Sequence, residues 1–103
     1  MGVSSEDFVI QTAGRGFRDI SRELQDIVRR SGVEAGICNV FLRHTSASLL
    51  ITENADPDVL ADLENFISRL APDGDPSYLH SAEGPDDMPA HIRSVLTANE
   101  LTV

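Results

Sequence analysis

The sequence predicts one domain, residues 1–103, of mixed strand and helix. Three observations carry this. The length is usual for a single domain. Two stretches repeat apolar residues at helical spacing, and three short runs rich in Val, Ile, Phe and Leu are bounded by Gly, Asp and Pro. A hydrophobic share of 41 % is enough for a real core and below that of a membrane protein.

In order, residues 7–12 carry Phe8, Val9 and Ile10 and predict a first strand, ended by Ala13-Gly14-Arg15-Gly16. Asp19 is placed as an N-cap. After it Ile20, Leu24, Ile27 and Val28 fall on one helical face. Arg29 and Arg30 suit the negative end of that helix, and Gly32 suits its exit. Residues 36–42 and 47–52 predict two strands separated only by 43–46, as an antiparallel pair or one long bent strand. Their near-continuous apolarity suggests burial on both faces. Asp56-Pro57-Asp58 opens a second helix as N-cap, N1 proline and first-turn acid. Its stripe is Val59, Leu60, Leu63, Phe66, Ile67 and Leu70, and Pro72 stops it. Residues 73–87 form a long polar loop, of a kind that is either functional or disordered. A third helix is expected near Pro89, with Ile92, Val95 and Leu96 inward and Asn99 closing it. Leu101, Thr102 and Val103 then open a further strand.

The charge balance narrows the function. With 17 acidic and 8 basic residues the formal net charge is −9, which argues against a broad basic face for nucleic acid. All eight cations are Arg, a bias that genome composition explains. No apolar run is long enough for a transmembrane helix, and residues 1–7 lack the basic and apolar regions of a secretory signal. Cys38 stands alone inside an apolar run, as a small buried hydrophobe. The expected location is the cytoplasm.

Residues 43–58 gather one histidine, several hydroxyls, an amide and three carboxylates beside apolar segments that need none of them. His44, His80 and His91 all lie among polar residues, and together they suggest a shared site. Their spacing matches no His-Glu-x-x-His or Cys-x-x-Cys pattern. His91 is placed in the first turn of the third helix, where the dipole disfavours imidazolium and keeps the ring available as ligand or base. Glu53, Asp56 and Asp58 precede one helix, and Glu83, Asp86 and Asp87 precede another, so capping explains part of each group. Glu53 stands too early to cap. Oxygen-rich groups suit Mg²⁺. Arg43 with Thr45, Ser46 and Ser48 would hold a phosphate, although hydroxyls so close together are equally normal in turns. A Ser46–His44–acid triad ranks last, because no Gly-x-Ser-x-Gly elbow is present.

Three motifs in order carry a resemblance: His44-Thr45-Ser46-Ala47-Ser48-Leu49, Glu53-Asn54-Ala55-Asp56-Pro57-Asp58-Val59, and Glu83-Gly84-Pro85-Asp86-Asp87-Met88-Pro89-Ala90-His91-Ile92. Arg15-Gly16-Phe17-Arg18-Asp19-Ile20 and Tyr78 to His80 fit as well. The chain resembles the YjbQ family, also called UPF0047, some of whose members are named secondary thiamine-phosphate synthases. The resemblance implies an α+β fold of packed antiparallel β-sheets with two to three helices, assembled as a homotrimer with sites near subunit boundaries. Family members continue with strands bearing Gly-x-Trp-Gln-Gly and Glu-His-Arg stretches, whereas this chain contains no Trp.

Three functions are weighed. The first is a metal-dependent transferase joining a pyrimidine diphosphate to a thiazole phosphate. His44, Glu53, Asp86 and His91 would be catalytic, and Arg43, Thr45, Ser46, Ser48 and Asn54 would bind phosphate. His44, His80 and His91 would ligate a divalent metal, Zn or Mg. The second is a non-catalytic protein that binds a metal or a small phosphorylated ligand. The third is a structural oligomer whose polar motifs cap helices and join subunits. None involves nucleic acid or membrane.

Overall fold

The structure is a computed structural model that describes residues 2–44 and 46–103. The chain divides into two compact units, Met1–Cys38 and Asn39–Val103. Across the described residues the elements run α1 (Ser21–Ser31), β1 (Asn39–Phe41), α2 (Pro57–Leu70), α3 (Asp87–Leu96) and β2 (Glu100–Thr102). This is an α+β arrangement of three helices and a small antiparallel sheet.

In the first unit the helix forms where the apolar spacing places it. Its N-cap is Ile20 rather than Asp19, and the Asp19 carboxylate accepts the Ser21 N–H at 2.8 Å from one residue further out. Gly32 ends the helix with φ 74°, a left-handed conformation that costs glycine nothing. The strand expected at 7–12 does not form: Phe8 and Val9 are exposed, and no backbone partner pairs with them among the described residues. A β-rich run alone cannot make a strand without a neighbour to bond to.

The second unit is built on a ladder with an interruption. Val40 pairs with Leu101 and Phe41 with Glu100, and the pairing continues as the Leu42 N–H donates to the Asn99 carbonyl at 2.8 Å. The next partner of this ladder is Leu49, which exchanges both backbone bonds with Ala98 at 2.6 and 3.3 Å. The two apolar runs are therefore neither paired with one another nor one continuous strand. Both pair in succession with residues 98–102, and residues 43–44 and 46–48 arch out of the ladder between them. Only Leu49 of the expected 47–52 strand is in the ladder, and Ile51 is exposed instead of buried.

α2 starts as its sequence dictates. The Asp56 carboxylate accepts the Asp58 N–H at 2.9 Å, and Pro57 fills the position where an N–H would lack a partner. Val59, Leu60, Leu63 and Ile67 are half-buried, while Phe66 and Leu70 are exposed. α3 begins at Asp87, two residues before Pro89, and ends at Leu96, with Thr97 as its C-cap instead of Asn99. Pro89 and Ala71 are buried, and Val95 and Leu96, expected inward, are exposed. Arg93 of α3 ties that helix to α2, reaching Glu64 Oε1 at 3.4 Å and Ser68 Oγ at 3.2 Å. The polar loop is closed on itself. The Gly74 N–H donates to the Pro85 carbonyl at 2.9 Å, Asp75 organises a turn by accepting the Ser77 N–H, and the Tyr78 hydroxyl donates to the Pro72 carbonyl at 2.8 Å. No helix among the described residues is long and apolar enough to cross a membrane.

Candidate metal centre

The closed loop delivers His80 to the start of α3. Starting the helix at Asp87 puts Asp87 and His91 four residues apart, on one face one turn above the other. His91 therefore lies one turn deeper than the first turn expected for it. Asp87 Oδ2 stands 2.7 Å from His80 Nε2 and 3.2 Å from His91 Nε2. The two imidazole rings meet edge to face, with centroids 5.5 Å apart. Glu83 Oε2 stands 3.3 Å from His80 Nε2 on a more exposed side chain.

The electrostatics follow from these contacts. The hydrogen bond to Asp87 raises the His80 pKa above the ordinary imidazole value, against a smaller opposing effect of desolvation and with further help from Glu83. The same bond, then one with Glu83, holds the Asp87 carboxyl below its usual range, and His91 adds to it. Both shifts favour the charged forms of the pair.

One ligand atom each from His80, Asp87 and His91 lies within 4.8 Å of the other two. Two imidazole nitrogens and one carboxylate oxygen are the donor set of three-ligand zinc sites and of other borderline transition metals, and a fourth position stays open. Mg²⁺, which takes oxygen donors almost exclusively, fits this set poorly. A hollow of about 360 Å³ opens beside it, sharing His80 and lined also by Gly74, Asp75, Tyr78, Ser81 and Pro85.

The other expected site residues lie elsewhere. His44 is outside this cluster and faces its own loop, where Nδ1 accepts the Ser46 N–H at 3.0 Å and lies 3.1 Å from Ser46 Oγ. Ser48 Oγ lies against Thr97 Oγ1, which is also 2.6 Å from the Arg93 carbonyl. Since each hydroxyl carries one proton, Thr97 donates to the carbonyl and accepts from Ser48, so the Ser48 proton is used inside the fold. Arg43, Glu53 and Asn54 are exposed. Asp86 is the N-cap residue of α3 but makes no side-chain capping bond. Thr45 lies outside the described residues. Asp87, which the sequence presents only as one of a group of capping acids, is the residue that joins the two histidines. An i, i+4 acid–histidine pair is the signal that would have found it.

The model of the UPF0047 protein YjbQ-like family matches residues 6–103. The UPF0047 protein sll1880 of Synechocystis is 55 % identical over 92 residues, covering 89 % of this chain and 63 % of the relative. YjbQ of Escherichia coli O157:H7 is 39 % identical over 95 residues, covering 91 % of this chain and 68 % of that protein. Among solved structures, the conserved hypothetical protein TT1486 of Thermus thermophilus superposes with a TM-score of 0.74 at 35 % identity, over 85 % of this chain and 65 % of that one. A yjbq/upf0047 protein of Clostridium acetobutylicum gives 0.73 at 37 %, over 84 % and 64 %. The chain thus spans roughly two thirds of the length of these relatives. On sequence and fold together, it belongs to the UPF0047 family of YjbQ-like proteins.

Proposed function

We propose that this chain holds a divalent transition metal, Zn²⁺ in preference to Mg²⁺, through His80, Asp87 and His91. The observation that carries the reading is the convergence of three ligand atoms within 4.8 Å, from a loop and two successive turns of a helix. Asp87 Oδ2 lies within hydrogen-bond reach of both rings, which supports a shared site. Titration calorimetry tests it. The chain is expected to bind one Zn²⁺ and to bind Mg²⁺ far more weakly, and His80→Ala and His91→Ala should each remove the zinc isotherm. Equal zinc affinity in the wild type and both variants would sink the reading.

Resemblance supports a second step, that the metal serves transfer between a pyrimidine diphosphate and a thiazole phosphate. A cation with an open position beside a hollow would supply Lewis-acid stabilisation of the departing pyrophosphate. Product formation from those two substrates by the zinc-loaded chain, absent from His91→Ala, is the outcome expected.

Self-association as a homotrimer belongs to the same proposal. The chain exposes 8166 Å², against about 6,800 Å² for two separate compact bodies of these lengths. Phe41, Phe66 and Leu96 are each more than half exposed. Sedimentation equilibrium should return three times the mass of 11.2 kDa.

A further inference from the structure

The loop between α2 and α3 does more than deliver His80. The hollow of about 360 Å³ beside that ring is walled by this loop alone, and its lining is unlike that of a phosphate site. Asp75 supplies the carboxylate, while Pro76, Tyr78 and Pro85 supply apolar faces. No arginine is among the described lining residues, and the chain contains no lysine. His80 turns its Nε2 to Asp87 at 2.7 Å, so charge on that ring is paired by a residue outside the lining. An anion entering the hollow meets no cation of its own.

Local hydrogen bonds hold the acid and the aromatic ring side by side. The Tyr78 N–H donates to the Asp75 carbonyl at 3.1 Å, and the Ser77 N–H donates to Asp75 Oδ1 at 2.8 Å. The Tyr78 hydroxyl, bonded to the Pro72 carbonyl, pins the far end of the ring. The bonds from Ser77 hold the Asp75 carboxyl below its usual range. A carboxylate offers roughly four acceptor positions, so capacity is left after those bonds. Desolvation, then the charges of Asp75 and Asp73, raise the Tyr78 phenol, which puts the Asp75 charge within electrostatic reach of it.

We propose that the hollow binds a small organic cation, an ammonium or protonated nitrogen on a flat apolar body. Its charge pairs with Asp75, and its body lies against Tyr78, Pro76 and Pro85. A carboxylate and an aromatic face both attract a cation, and mostly apolar walls with few polar groups are what ligand hollows use. This subsite goes beyond the metal reading and stands without it.

The chain holds a single tyrosine, so the aromatic ¹³C–¹H resonances of Tyr78 report on the hollow directly. Benzylammonium, benzyl alcohol and phenyl phosphate each carry one phenyl ring and differ in charge. With chelator present, benzylammonium should shift the Tyr78 resonances saturably and bind at least about fivefold tighter than benzyl alcohol, as expected for a half-exposed cation. Phenyl phosphate should bind most weakly. No saturable shift with benzylammonium, or phenyl phosphate binding as tightly, overturns the proposal. Asp75→Asn keeps an oxygen for the Ser77 N–H and removes the charge. It should cost benzylammonium at least about fivefold and leave benzyl alcohol within about twofold. Equal loss for both ligands overturns the role of Asp75. Should that variant lose its helical circular dichroism, the three ligands on the wild type decide alone. Metal is absent throughout, so failure here leaves the zinc reading standing, and a failed zinc titration leaves this one standing.

Discussion

Two regions of the second unit present histidines, and they hold them in opposite ways. In the loop leading to α3, His80 and His91 converge on the carboxylate of Asp87, an acceptor that rewards a positive charge on either ring. In the arch after β1, His44 faces a backbone amide, a donor that requires a lone pair from the ring. The partner therefore decides the chemistry. A carboxylate partner prepares imidazoles for a cation, and an amide partner prepares an imidazole to donate. The same residue type serves two purposes because the backbone has placed opposite groups against it.

The largest effect expected follows from Asp87, which both rings of the metal centre share. Asp87→Asn keeps the shape and removes the charge. Zinc affinity should fall by at least about 100-fold, beyond the roughly 10- to 100-fold typical of groups outside the ligand shell. His44→Ala, measured the same way, should leave it unchanged. A matching loss in both variants would erase the contrast between the regions.

The next effect is one of pH. Zinc binding requires His80 to release its proton, and the bond to Asp87 raises the pH at which it does so. Affinity should therefore decline by about tenfold per pH unit as the pH falls through the raised pKa, and the decline should begin above the ~6.5 of an unperturbed histidine. The linkage to folding has the opposite sense in the metal-free chain. The His80 contribution to stability is complete below the unfolded value and lost as the pH rises through the folded one, whereas the Asp87 contribution is lost as the pH falls through its depressed value. Calorimetry across a pH series checks the first sign, and urea unfolding with chelator present checks the second. His80→Gln should remove the His80 part of the folding dependence.

How far the sequence revealed these regions depended on whether the cause was local. Helices α1 and α2 were readable because the spacing of Ile20, Leu24, Ile27 and Val28, and the Asp56-Pro57 start, act within a few residues. The strand expected at 7–12 and the longer one at 47–52 failed because a strand exists only where another segment bonds to it, and a β-rich run does not say which. The His80–His91 pairing depended on folding a loop, through the Gly74–Pro85 bond and the Asp75 turn, that spacing could not foretell. Asp87 was overlooked for a smaller reason. Placing the start of α3 near Pro89 instead of at Asp87 left the acid outside the helix, where its four-residue distance from His91 carried no meaning. His44 was grouped with the other histidines on polarity alone, and nothing in its neighbours announced that Ser46 would turn its backbone toward the ring.

The smallest effect expected concerns the acids that follow each region into a helix. Asp56 and Asp86 both precede one, and sequence treats them alike. Only Asp56 caps, accepting the Asp58 N–H at 2.9 Å from an extended backbone. Asp86 has helical backbone angles and makes no side-chain cap bond, and its Oδ1 lies 3.3 Å from where a Cβ on Gly84 would stand. Removing a true N-cap costs about 1 kcal/mol, so Asp56→Ala should lower the urea midpoint by that equivalent. Asp86→Ala, with no bond to lose, should cost less than half as much. It should leave zinc affinity alone as well, because Asp87 and not Asp86 faces the histidines. A larger loss for Asp86→Ala than for Asp56→Ala, in stability or in zinc binding, would mean that Asp86 bonds to something at the mouth of the metal centre, and the division of labour between the two neighbouring acids would have to be redrawn.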